Sequence, residues 1–367
     1  MIDKGLRVYS LEECANSQKL RRFWEEIVHN VGDVYYELPY LGVAALHEEG
    51  EIVLCVFRHP KGVVIYPFVL RSLDLFSFAV DVPGNHYDII SPYEYGGPLV
   101  QASNKQAQST VQASFRDAFT AYCRSRGIVS EFVRFHPLLR NQEGWGEFYE
   151  LQKCCTNVVI DLSKKPEIIF NEYNKRHRRN VRTARRRGIW VEKVSNTSEN
   201  FRLFMDIYIQ TMDRHNAKAI YYFSAAYFEC LSDLSDDLVS LYFARNHDGL
   251  VVSTALFLHG QTYTHYHLGG TINGMSRFRP NNLLFHFVTI DLQQAGMQYF
   301  HMGGAATNQP GLLAFKEGFS VDRTDYYIGK RVCDPVAYES FCKALENPNS
   351  DYSAGKPPKD FFPAYRY

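Results

Sequence analysis

The stretch Arg279–Phe319 constrains the fold more than any other. It opens on Arg279-Pro280-Asn281-Asn282 and continues as an apolar run from Leu283 to Ile290. Gly296 then closes that run as a helix stop would. A strand-like piece, 297–302, meets Gly303-Gly304. After a polar loop comes GLLAFKEGF, residues 311–319, which holds Phe315-Lys316. Loop, helix, strand, glycine pair and a lysine beside an aromatic ring predict a site built at a strand end. The alternative on pattern alone is an ordinary α/β unit with a solvated Lys316.

The order occurs twice. CRSRGIVSEFVRFHP, residues 123–137, and LQQAGMQYFHMGGA, residues 292–305, are both a helix end, a glycine and a strand carrying a histidine. Around each the periodicity supplies two helices, antiparallel strands, a further helix and a strand. At 367 residues the chain is long enough for two domains. The expectation is a mixed α/β (α+β) chain of two tandem units: 1–160, 161–346 with the Phe-Lys motif, and an irregular tail, 347–367, rich in Pro, Ser, Gly and Lys.

Within the first half, 17–30 reads as an amphipathic helix with Leu20, Phe23, Trp24, Ile27 and Val28 on one face. A short helix over 39–49 follows, then strands 51–58 and 62–70 joined by His59-Pro60-Lys61-Gly62. Residues 82–99 read as loop and contain Tyr93-Glu94-Tyr95-Gly96-Gly97-Pro98. Glycines here let backbone approach a ligand, or form a plain tight turn. A helix over 104–126 ends at Gly127, and 129–135 is a strand. In the second half, 164–187 reads as one helix ending at Gly188, 189–194 as a strand and 198–215 as a helix. Three antiparallel strands cover 238–244, 250–259 and 262–268. A strand over 324–330 and a helix over 335–345 follow the Phe-Lys segment.

Residues 175–187 hold eight Lys or Arg in thirteen positions, and Arg178, Arg182, Arg185 and Arg186 share a helix face. Like charges so placed destabilise a helix unless an anion sits against them, and a guanidinium fork suits phosphate. The plainer reading is a solvated basic helix end that complements the dipole. The net charge of the whole chain is zero, with 40 basic and 40 acidic residues, so composition itself does not point to nucleic acid.

Eight cysteines stand at 14, 55, 123, 154, 155, 230, 333 and 342, with no Cys-x-x-Cys pair. That spacing suits reduced thiols and a cytoplasmic setting better than zinc or a disulfide framework. There is no apolar leader at the N-terminus and no run of membrane-spanning length, which leaves a peripheral membrane contact open. Nucleophile elbow, Walker loop and His-Glu-x-x-His are absent. His265 and His267 alternate onto one strand face without an evident third ligand, so neither a metal nor a cofactor is expected.

On these motifs residues 279–319 resemble the C-terminal signature of the FemABX family, non-ribosomal peptidyltransferases with two GNAT-like (N-acetyltransferase-type) domains in one chain. The proline–asparagine loop, the helix ending in Gly, the strand ending in Gly-Gly and the Phe-Lys before Gly-Phe stand in the family's order. The likeness spans roughly residues 85–345 and is loose over the first 50. The family often has an acidic residue shortly before Gly-Gly, where this chain has His301-Met302. No heptad arm fits between Gly188 and Leu238, so the chain is similar to armless members without the long coiled coil.

The resemblance implies a tandem GNAT-like acyl-N-acyltransferase fold. It implies an aminoacyl-tRNA donor and a peptide-like or nucleotide-linked acceptor such as a cell-wall precursor. Lys316 would stabilise the oxyanion of amide formation, with Phe315 shaping the pocket. Tyr95, Gly96 and Gly97 would line the acceptor groove. Arg178, Arg179 and Arg182 would hold phosphates, and Tyr266 would face the cleft. Two other classes stay open. One is an N-acyltransferase using acyl-CoA or an acyl carrier. Where such enzymes cradle pyrophosphate in a glycine-rich turn, this chain carries Asn281 and Asn282, whose side chains hinder close approach. The other is a non-catalytic RNA-binding module built on the arginine helix.

Overall fold

The computed structural model describes residues 5–74, 76, 82–305, 309–345, 358 and 361–367. The chain divides into two compact units. The first comprises residues 1–22, 44–154 and 326–367, and the second 23–43 and 155–325.

The first unit contains strands β1 (Gly5–Ser10), β2 (Glu51–His59), β3 (Gly62–Ser72), β4 (Tyr87–Ile90), β5 (Leu99–Ala102) and β6 (Ile128–Arg134), with β13 (Arg323–Val332) arriving late in the chain. Their order is β1-β2-β3-β4-β6-β13, with β5 also on β3. The β2–β3 hairpin closes as expected, from Glu51 opposite Leu70 to His59 opposite Gly62. All neighbours are antiparallel except β4 and β6, which run parallel. A parallel pair needs a crossover, and the helix Lys105–Ser125 supplies it. Asn104 caps this helix by accepting the Ala107 N–H. Gly127 ends it in the left-handed region at φ +65, where a Cβ would come 2.5 Å from the Asn85 carbonyl oxygen. Val111, Phe115, Phe119 and Cys123 recur every four residues and bury that face against Phe57, Tyr66, Phe68 and Trp145.

Inside this core lies Glu131, fully buried. Its carboxylate accepts hydrogen bonds from the hydroxyls of Tyr66 (2.8 Å) and Tyr149 (2.7 Å) and pairs with Arg331 at 2.9 Å. A buried carboxylate is tolerable only with such partners.

The second unit contains β7 (Glu150–Asp161), β8 (Trp190–Val194), β9 (Val239–Arg245), β10 (Val251–His259), β11 (Tyr263–Thr271) and β12 (Tyr299–Gly303), in the order β7-β12-β11-β10-β9-β8. Only β11 and β12 are parallel. The crossover between them is the helix Pro280–Gln294, with Pro280 at its first position and Gly296 just beyond its end at φ +82. Each unit is therefore four antiparallel strands (β1-β2-β3-β4 or β8-β9-β10-β11), a helix and a strand parallel to the fourth. An antiparallel strand from outside that run, β13 or β7, completes each one. The second core gathers Phe257, Phe285, Val288, Phe300, Met302 and Phe319.

Several elements depart from the expectations. The segment 164–187 is two helices, Pro166–Glu172 and Lys175–Arg186, not one. Tyr173 is extended at ψ 139, and the Asn174 side chain takes the His177 N–H as a new N-cap. Asn competes with helical bonding in this way, and with no glycine or proline at the break the pattern runs on across a helix start. Strands β1, β4 and β7 and the helix Ala225–Ser232 were not expected. Residues 347–357 of the expected irregular tail lie outside the described residues. The described end packs, with Tyr365 buried and Arg366 paired with Asp88, which also holds Arg71 at 2.9 Å.

Candidate functional site

The parallel pair of the second unit does not stay together. Register runs only through Tyr263–Tyr299, Thr264–Phe300 and His265–His301. Beyond that point β11 continues to Thr271, while β12 bulges and its Gly303 faces Val158 of β7. Backbone groups that leave a parallel pair lose their ladder partners, so the place where the strands part is where side chains must supply polar contacts. Tyr266 on β11 and the Gly303-Gly304 pair at the end of β12 lie just past the parting.

The helix Pro310–Glu317 brings Phe315 and Lys316 to this point. Lys316 is 6% exposed. Its Nζ donates to the Gly304 carbonyl oxygen at 2.6 Å and sits 5.5 Å from the centroid of the Tyr266 ring. A carbonyl dipole and a ring face are both partners that suit a cation at low exposure. Burial pushes the Tyr266 phenol up to about 12, which keeps it protonated at neutral pH. Phe315 packs edge-on to Phe285 (5.6 Å) and Phe319 (5.2 Å) and fixes the helix carrying the lysine.

Both glycines of the pair are needed sterically. Gly303 is left-handed at φ +73, and a Cβ there would lie 3.2 Å from the Lys316 Nζ. A Cβ on Gly304 would lie 2.4 Å from Asn157 Oδ1, 2.7 Å from Cys155 Sγ and 3.0 Å from the Thr156 carbonyl oxygen.

Behind the turn lies a buried polar chain that the sequence reading did not assemble. His265 Nε2 is 2.8 Å from Asp33 Oδ2, and its Nδ1 is 3.1 Å from His301 Nδ1. His301 Nε2 is 3.0 Å from Asn157 Nδ2, and Asn157 Oδ1 accepts the Cys155 thiol at 3.3 Å. The histidines meet because they are the last registered pair of the parallel strands, a non-local fact that no local spacing encodes. His267 faces elsewhere and contacts the Tyr227 hydroxyl at 2.8 Å.

The arginine helix docks beside the Phe-Lys helix through His177, a residue the sequence reading did not single out. Its Nε2 lies 2.9 Å from the Phe315 carbonyl oxygen, and its ring fills the space a Gly318 Cβ would take, at 2.2–2.5 Å. Burial holds the His177 imidazole below its ordinary pKa, and because a carbonyl oxygen only accepts, Nε2–H is the donor to it. Arg178 turns back and donates to the carbonyl oxygens of Asn171 (2.7 Å) and Tyr173, capping the preceding helix. Arg182 lies 5.8 Å from the Phe170 ring, and Arg187 donates to the Arg277 carbonyl oxygen at 2.7 Å. Arg179, Arg182, Arg185 and Arg186 are exposed.

Tyr95, Gly96 and Gly97 belong to the first unit and are buried there. The Gly96 N–H donates to the Arg134 carbonyl oxygen at 2.8 Å, and Asn141 Nδ2 donates to the Gly96 carbonyl oxygen at 2.8 Å. Gly97 has φ +90, and a Cβ there would press on Val133, Phe135 and Asn141 at 3.0–3.2 Å. Tyr95 packs edge-on to His136 (5.6 Å) and Tyr326 (5.3 Å). The turn's own packing thus accounts for the glycines.

Residues 171–317 match a family model described as Acetyltransferase (GNAT) domain. No curated protein sequence matches the chain. Among solved structures, FemX is similar with a TM-score of 0.58 at 13% identity, over 81% of this chain and 92% of that one. L-PGS from Bacillus licheniformis is similar with a TM-score of 0.50 at 12% identity, over 90% of this chain and 94% of that one. The C-terminal domain of a putative lysylphosphatidylglycerol synthetase from Agrobacterium fabrum gives 0.50 at 12% identity, over 91% and 97%. At these identities the likeness is one of fold. Together with the repeated unit and the matched domain, it makes the chain an acyltransferase of FemABX-like tandem GNAT fold.

Proposed function

We propose that the protein forms an amide bond between an aminoacyl group, carried as the ester of a tRNA, and the amine of a peptide-like acceptor such as a peptidoglycan precursor. The amine nitrogen attacks the ester carbonyl carbon, and the oxygen becomes an oxyanion. Collapse breaks the bond to the ribose oxygen, which leaves as a hydroxyl with the proton that the amine gives up. The barrier lies in the developing oxyanion, and a fixed cation in a site sheltered from water lowers it. The observation that carries this reading is Lys316, held at 6% exposure between the Gly304 carbonyl and the Tyr266 ring.

Two further observations support it. At the helix start Pro280–Asn282 the side chains are already engaged. Asn281 Oδ1 accepts from Thr271 Oγ1 at 3.0 Å and from Ser253, and Asn282 Oδ1 accepts from Asn180 at 3.2 Å. That favours a donor other than acyl-CoA. The exposed Arg179, Arg182, Arg185 and Arg186 suit a polyphosphate ligand such as a tRNA or a nucleotide-linked acceptor.

The test is Lys316→Met measured on a matched donor and acceptor. A group that acts as charge develops affects turnover more than ground-state binding. Turnover is expected to fall roughly 10²–10³-fold, the scale of one oxyanion donor, with acceptor KM little changed. Lys316→Arg should recover little, since its fork puts the charge elsewhere. Near-normal turnover in Lys316→Met contradicts the assignment.

A further inference from the structure

The chain from Asp33 to Asn157 has a direction, and one carboxylate sets it. Asp33 Oδ1 accepts the Tyr35 backbone N–H at 3.0 Å. A carboxylate has no proton to give, so Oδ2 accepts from His265 Nε2 at 2.8 Å and the His265 proton sits on Nε2. His265 Nδ1 then presents a lone pair, and His301 must donate to it from Nδ1 across 3.1 Å. His301 Nε2 becomes the acceptor, which fixes Asn157 with its NH₂ toward the ring at 3.0 Å. The carboxamide oxygen is left pointing at Gly304 and at the Cys155 thiol. With one ring proton on each imidazole, every link follows from the one before it, since such a ring is a donor at one end and an acceptor at the other.

Asp33, His265, His301 and Asn157 are each at most 1% exposed. They cannot touch a substrate in this structure, but they end against the backbone that holds Lys316. Asn157 Oδ1 packs on Gly304 where even a Cβ has no room, and the Gly304 carbonyl oxygen is the acceptor for Lys316 Nζ. Turning the carboxamide over would put an NH₂ group and its hydrogens against that glycine, displacing the turn and with it the ammonium.

We propose that Asp33, His265 and His301 form a polarity relay that fixes the orientation of Asn157 and so positions Gly304 and Lys316 for transfer. These are positioning residues, acting through the Gly303-Gly304 turn. The role in turnover rests on the transferase reading above, whereas the proton arrangement does not.

The relay can be reversed without changing its shape. In Asp33→Asn the Tyr35 N–H still needs an acceptor at the Oδ1 place, so the new NH₂ falls where Oδ2 was and donates to His265 Nε2. Both imidazoles must then exchange tautomers, and Asn157 turns over. Adding Asn157→Asp restores an acceptor toward Gly304, because a carboxylate accepts on both sides. Nitrogen NMR of the ring-labelled, full-length protein reads the tautomers directly. The wild type is expected to carry the proton on Nε2 of His265 and Nδ1 of His301, and Asp33→Asn to show the reverse. Misplacement of a reacting group by a fraction of an ångström to 1 Å costs up to about 10² in rate. Turnover of Asp33→Asn is therefore expected to fall roughly 10–100-fold with acceptor KM within about twofold. The double variant should recover most of the loss, which a plain stability defect would not do. A wild type with any other tautomer pair overturns the proposal, as does an Asp33→Asn protein with unchanged tautomers and turnover, or a double variant no better than the single one. Expected tautomers in a protein that transfers nothing would leave the relay standing and remove the transferase reading.

Discussion

Single side chains here are decided by what surrounds them rather than by their type. Lys316 reads in the sequence as a site residue or, alternatively, as a solvated lysine, and in the fold it is buried. Three histidines of the second unit show the opposite effect. Burial lowers the pKa of His259 to about 3 and of His286 to about 4, with Lys193 and Arg185 respectively adding to it, and it also lowers that of His177. A histidine whose folded pKa lies below its unfolded value of about 6.5 stabilises the fold above that pH. As pH falls, the unfolded chain binds a proton that the folded one refuses. Stability is then lost at up to about 1.4 kcal/mol per pH unit for each such group. Unfolding midpoints in urea should therefore drop between pH 6.5 and 4. His286→Phe, which keeps the aromatic contacts with Phe170 (5.0 Å) and Tyr173 (5.8 Å), should flatten part of that slope. Equal slopes for wild type and variant across this range would contradict the burial argument.

At the level of elements, the arginine helix divides its charges between structure and ligand. Arg178 caps the helix Pro166–Glu172, so Arg178→Ala should lower the melting temperature. Arg179 and Arg182 are exposed, so Arg179→Ala with Arg182→Ala should leave stability nearly unchanged and weaken binding of a tRNA or nucleotide-linked ligand. That loss should shrink as salt rises, because each phosphate contact releases counterions. Filter binding at low and high salt decides it, and unchanged binding at low salt would leave only a solvated helix. The elements also show what the sequence could carry. Helix ends were legible where a glycine must be left-handed, at Gly127 and Gly296, and the β2–β3 hairpin from its turn residues. Lys316, Phe315 and Tyr266, all named from sequence, come together at the parting of β11 and β12. The break at Asn174 was hidden because no glycine or proline separates the helical pattern before it from the basic stretch 175–187. The relay was hidden for a different reason. Asp33 lies in a loop 232 positions from His265, and His265 meets His301 only through strand register.

On the scale of the whole molecule, each unit repeats one plan: four antiparallel strands, a crossover helix and a parallel partner strand. The matched acetyltransferase domain covers 171–317, which contains the parting strands, the arginine helix and the Phe-Lys helix. Among the described residues no helix is long and apolar enough to cross a membrane. The central claim is that this acyltransferase takes its acyl group from a charged tRNA and delivers it to an amine. Incubating the full chain with a pool of tRNAs charged with labelled amino acids, in the presence of a cell extract as acceptor source, tests it most directly. The account expects label in a base-stable amide product, abolished by prior ribonuclease treatment of the donor and unaffected by added CoA. Absence of transfer from every charged tRNA, with acyl-CoA consumed instead, would contradict it.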